Sequence, residues 1–134
     1  MKTSSLAIAL GIALWTTQVA THAHHAFSAE FDATKPITLT GTVAKVAWTN
    51  PHAHIHVDVT DRDGKMTTWD FELGSPNALM RRGWSRTSLK PGDQVTVNGY
   101  LAKDGAALAN ARSITLGDGR ELFAGSSNES QSGR

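Results

Sequence analysis

What most constrains this chain is an alternation of apolar and polar residues that begins at Ile37 and recurs between turn signals almost to the C-terminus. A period of two places successive side chains on opposite faces of a strand, so each run reads as a half-buried β-strand. Ile37-Thr38-Leu39-Thr40-Gly41-Thr42-Val43 opens the first run, which continues to Trp48. Thr49-Asn50-Pro51 then marks a turn, because proline has no N–H to give a central ladder. The second run, His52 to Thr60, sends Ala53, Ile55, Val57 and Val59 to one face and His52, His54, His56 and Asp58 to the other. Asp61-Arg62-Asp63-Gly64 predicts a hairpin turn, and Lys65 to Leu73 a third strand with Trp69, Phe71 and Leu73 facing inward.

Gly74-Ser75-Pro76 predicts a helix start, with Ser75 as N-cap and Pro76 in the first turn. The helix covers Asn77 to Arg82, offers Leu79 and Met80 for packing and stops at Gly83. Gln94 to Leu101 and Asn110 to Leu116 supply two more strands, and Asp118-Gly119 introduces an extension to Phe123. Three strands, a short helix and two strands give an all-β domain with one helix. Its element order is that of an OB-fold-like five-stranded barrel, with a small β-sandwich as the alternative architecture.

The ends differ in character from this domain. Residues 1–23 have the make-up of a secretory signal peptide: Lys2, the apolar run Leu6 to Trp15, and Thr21-His22-Ala23 before a cut. The apolar run is shorter than the roughly 20 residues that span a bilayer. The expected organisation is therefore a signal peptide at 1–23, an N-terminal arm at 24–36 and the barrel domain at 37–123. A Ser- and Gly-rich tail expected to be disordered fills 124–134. The expected location is the periplasm, with no transmembrane segment after cleavage. Cysteine is absent, which suits an oxidising compartment and excludes disulfides, thiolate zinc sites, iron–sulfur clusters and covalent haem. With 13 basic and 12 acidic residues, the net charge is +1, and nothing resembles the basic footprint of a nucleic-acid-binding domain.

All six histidines fall at or before residue 56. His52, His54 and His56 share a strand face, where alternate residues lie roughly 6.5–7 Å apart and two imidazoles can converge on one ion. Cleavage after Ala23 would make His24 the first residue, so that its α-amine and Nδ1 could grip one metal together. This arrangement resembles the histidine brace of copper proteins, and its nitrogen donors suit Cu(II). The expected metal residues are His24, His52, His54, His56 and His25. Copper is the expected ion and zinc a possible one. Glu30, Asp32 and Asp58 stand in reserve as further ligands or as partners that orient an imidazole. Phe27 and Phe31 are placed to pin the arm to the barrel.

Other residues carry weaker signals. Met66 and Met80 have thioethers that suit Cu(I), although core filling is the expected role of both. Trp69 reads as core, whereas Trp48 and Trp84 could stack on a ligand, with Arg81 and Arg82 available for an anion. Ser75 and Ser85 lie in no nucleophile motif, and Asp70 with Glu72 is only a carboxylate pair on one face. Binding is favoured over catalysis.

Several of these residues form a longer pattern: His24-His25-Ala26-Phe27, Glu30-Phe31-Asp32, Gly41-Thr42-Val43, Trp48-Thr49-Asn50-Pro51-His52, Ser75-Pro76-Asn77, Arg82-Gly83-Trp84 and Lys90-Pro91-Gly92-Asp93. The chain resembles, over residues 24–123, a family of small secreted bacterial proteins catalogued only as a domain of unknown function. The resemblance implies a signal peptide and an OB-like barrel and assigns no activity. The expectation is a periplasmic metal-binding protein, acting in copper carriage, buffering or delivery to a periplasmic or membrane partner protein. The alternative is an OB-type module that binds a glycan, peptide or protein partner without metal.

Overall fold

In the computed structural model, residues 27–125 are described; the expected signal peptide, His24, His25 and residues 126–134 of the tail lie outside them. Residues 27–30 are helical, and six strands and a further short helix follow in order: β1 (Phe31–Ala47), β2 (His54–Thr60), β3 (Met66–Glu72), α1 (Pro76–Arg81), β4 (Gln94–Ala102), β5 (Leu108–Leu116) and β6 (Glu121–Phe123). Among the described residues no helix is long and apolar enough to cross a membrane.

Local chemistry explains the boundaries. The β2–β3 turn is tied by Asp61, whose Oδ1 accepts from the backbone N–H groups of Asp63 and Lys65 at 2.9 Å each, while Gly64 takes a φ of 81°. Ser75 caps α1 by accepting from the Ala78 N–H at 3.2 Å, and Pro76 occupies its first turn. The helix ends at Arg82, and Gly83 turns the chain with a φ of 94°.

The period of two sorts the side chains as expected. Ala53, Ile55 and Val57 of the histidine run are fully buried, together with Phe71, Leu73, Leu79, Val97 and Ile114. Burying each of the larger of these side chains contributes roughly 1.5–3 kcal/mol before the entropy of ordering is set against it.

The described residues are mostly β-sheet, but the expected five-stranded OB-like barrel is corrected by the strand pairing. All six strands belong to one sheet, in the order β3-β2-β1-β4-β5-β6, with an additional β3–β5 pairing. That pairing is parallel and only three residues long: Asp70 with Leu108, Phe71 with Ala109, and Glu72 with Asn110. The result is a ring of strands joined at a short seam, not an OB-fold barrel. A single sheet likewise rules out the small two-sheet sandwich. The physical reason lies along β5. One of its edges is taken by β4, and the other is divided between β3 near residue 109 and β6 near residue 114. Turn signals count strands, but they do not say how an edge is divided.

The structure adds three details. Within the stretch expected as the arm, 24–36, β1 begins at Phe31, which pairs with Ala102, and Pro36 pairs with Tyr100. Proline and a register shift hid this stretch from the alternation. The C-terminal segment is fixed at its start, since Ala124 is fully buried and its N–H donates to the Arg112 carbonyl at 2.8 Å. Met66 and Met80, expected as core fillers, are 61% and 48% exposed.

Candidate functional site

The outer face of the ring near the seam gathers the residues with chemistry. Paired residues of neighbouring strands share a face. Tyr100 of β4 pairs with Asn110 of β5, Asn110 with Glu72 of β3, and Glu72 with His54 of β2. One row thus crosses four strands, and at a strand spacing of about 4.8 Å it is about 14 Å long.

At one end of the row stand the three histidines: His54 and His56 lie on β2, whereas His52, expected to open that strand, precedes it. His54 Nδ1 lies 2.8 Å from Asp70 Oδ1, and His52 Nδ1 lies 3.4 Å from Glu72 Oε1. Both imidazoles are half-buried, with side-chain exposures of 29% for His54 and 39% for His52. His56 has the same outward direction but makes no side-chain hydrogen bond or ion pair among the described residues. Its cross-strand neighbours are Lys45 on β1 and Asp70 on β3. Two of the three histidines therefore contact carboxylates, and the third lies between Lys45 and Asp70, whose carboxylate is bonded to His54.

In the middle of the row, Glu72 is held by Asn110, whose Nδ2 donates to Glu72 Oε1 at 3.3 Å. Asn110 is 5% exposed, and its Oδ1 is buried without a partner among the described residues. Burial pushes the Glu72 carboxyl above the usual carboxylate range; the neighbouring His52 opposes the rise and Glu30 adds to it.

At the other end sits the arm. The Phe27 ring lies 5.6 Å from that of Phe31 and 6.0 Å from that of Tyr100, the latter edge-on. Phe31 is 2% exposed, so both phenylalanines pin the arm as expected. Arg112 donates to the Tyr100 hydroxyl at 2.7 Å and steadies the ring on which Phe27 rests. Lys103 fastens the backbone beyond, through its N–H to the Glu30 carbonyl at 2.8 Å and its ammonium to the Ser28 carbonyl.

The described residues do not complete a metal centre: among them no three His, Asp or Glu side chains converge to hold an ion. His24 and His25, the other expected ligands, lie outside the described residues. Of the reserve carboxylates, Asp58 accepts from the Thr68 hydroxyl at 2.6 Å. Asp32 accepts from the Thr34 hydroxyl at 2.6 Å, which holds its carboxyl below the usual range. Only Glu30 lies close enough to the row to act on Glu72.

The stacking candidates are differently placed. Trp84 is 4% exposed, and its Nε1 donates to the Phe123 carbonyl at 2.9 Å, so its ring belongs to the interior. Trp48 and Trp69 are partly buried against the core. Arg82 stacks over the Phe123 ring at 4.0 Å. A polar cleft of about 560 Å³ opens beside Gln94 and Leu116, at the far ends of β4 and β5 from the histidines. Its cations are already matched, Lys90 lying 3.7 Å from Asp93 and Arg120 2.7 Å from Asp118.

Sequence reasoning missed Asp70, Glu72 and Asn110 as partners of the histidine face. The first two were legible in principle. A short hairpin turn over 61–65 fixes the β2–β3 register, which sets Glu72 beside His54 and Asp70 beside His56. Asn110 carried no such signal, because it arrives through the parallel seam.

No curated protein and no solved structure matches the chain at a significant level. Residues 13–111, most of the sequence, match DUF6152, described as a family of unknown function, and the chain belongs to that family.

Proposed function

We propose that this is an exported, periplasmic metal-binding protein that takes copper and carries, buffers or delivers it to a partner protein. The site joins the α-amine and imidazole of His24, freed by cleavage after Ala23, to His54 on β2 and His52 just before it. Amine and imidazole nitrogens suit Cu(II), and zinc is the second metal such donors accept. One observation carries the reading: Phe27 is seated on Tyr100, in the row that ends at His54. The three residues 24–26 span at most about 10 Å when extended, which with the reach of two imidazoles matches the width of the row. Small size and the lack of a nucleophile motif favour binding over catalysis.

The test compares the mature chain beginning at His24 with the same chain carrying one extra N-terminal glycine. Copper affinity is measured by competition with a chromophoric chelator. The mature form is expected to bind one Cu(II) tightly, with nitrogen hyperfine structure in its electron paramagnetic resonance spectrum, and more weakly in acid as the donors protonate. The extended form should bind far more weakly. Equal affinity of the two forms would overturn the N-terminal site.

A further inference from the structure

His52, His54 and His56 are not equivalent, and the difference lies on β3. His54 Nδ1 is at 2.8 Å from Asp70 Oδ1, a distance typical of a charge-assisted hydrogen bond. A carboxylate in this place accepts, so the imidazole nitrogen facing it carries the proton. In a neutral ring the lone pair then resides on Nε2, the atom directed away from Asp70. His52 is held more loosely by Glu72, at 3.4 Å. His56 has no carboxylate bonded to its ring; it faces Lys45 across the β1–β2 ladder and Asp70 across the β2–β3 ladder, but that carboxylate is turned to His54. A cation bound there would meet the lysine ammonium as a like charge, whereas the residue paired with His54 on β1 is the small, uncharged Ala47.

We propose that Asp70 is a positioning residue that locks His54 in the Nδ1–H tautomer and presents Nε2 as the primary strand ligand for a metal ion, with His56 outside the site. The ligand assignment rests on the metal-binding reading above; the tautomer does not, and belongs to the metal-free protein. A ring already turned and protonated in the ligating form loses little freedom on binding. Loss of such an orienting carboxylate typically lowers metal affinity about 10–100-fold. Because Asp70 is partly exposed, its removal takes away only a surface pair, so the fold should survive.

The experiment uses the mature, metal-free protein labelled with ¹⁵N and a long-range ¹H–¹⁵N correlation spectrum of its imidazoles. His54 is expected as a single Nδ1–H tautomer, while His56 exchanges between tautomers. Asp70→Ala should return His54 to exchange and weaken Cu(II) binding about 10–100-fold without lowering the unfolding temperature appreciably. His54→Ala should weaken binding further, and His56→Ala should leave it as in the wild type. A wild-type His54 that exchanges or carries its proton on Nε2 overturns the proposal. So does an Asp70→Ala variant that binds copper as tightly as the wild type. A locked His54 that Asp70→Ala releases, in a mature protein that binds no copper, upholds the positioning role and overturns the metal-binding reading instead.

Discussion

Replacing Phe27 by alanine separates the arm's anchoring from the fold's stability. The Phe27 ring has two aromatic partners, Phe31 at 5.6 Å and Tyr100 at 6.0 Å. Each such pair contributes about 0.5–1.5 kcal/mol beyond burial, so the two together hold the arm by about 1–3 kcal/mol. The contacts of Lys103 to Ser28 and Glu30 remain in the variant, so the chain from residue 28 onward should stay fastened. What is released is the short stretch that carries His24. If the docked arm is the competent state, apparent affinity falls in proportion to its population. A loss of about 1–3 kcal/mol then corresponds to a Cu(II) affinity lower by at most about 5- to 150-fold. The assay is chelator competition on mature wild type and Phe27→Ala, with thermal unfolding by circular dichroism as the control. The unfolding temperature should move little, because the buried member of the pair is Phe31. An unchanged copper affinity in Phe27→Ala would refute the link between arm docking and metal binding.

Two further predictions address the strands that flank β5. At Gly99 a Cβ would lie 2.2 Å from the Asn110 carbonyl oxygen, so Gly99→Ala must push β4 from β5 at their register shift. Overpacking of this kind costs about 1–3 kcal/mol; equilibrium urea unfolding that shows no loss would contradict the close approach. The second concerns Glu72, whose folded-state pKa is raised by burial above its unfolded value. Its contribution is fully present below the unfolded carboxylate pKa and is lost as pH rises through the folded one, because ionising the buried carboxyl then opposes folding. Glu72→Gln lacks this term. Its unfolding temperature relative to wild type should therefore climb as pH increases from about 4 to about 7, within the range expected for carboxylate titration. A relative fall over that interval would show that the His52 charge, not burial, governs the site.

The faces of the strands were decided by the sequence alone, for a local reason. Backbone geometry alternates side chains every residue, so Ala53, Ile55 and Val57 had to turn from His52, His54 and His56 wherever the strand came to lie. The Asp61–Gly64 turn and the Ser75 cap were equally local, each satisfied by atoms within four residues. What the histidines face was decided elsewhere. Asp70 and Glu72 reach them through hairpin register, and Asn110 through a parallel seam between strands separated by α1 and β4. Ring closure, the extension of β1 to Phe31, the burial of Trp84 and the exposure of Met66 and Met80 were settled in the same way. Each depends on which strand edges and apolar surfaces meet at long range, and that choice minimises the free energy of the whole sheet. No short stretch of sequence encodes it.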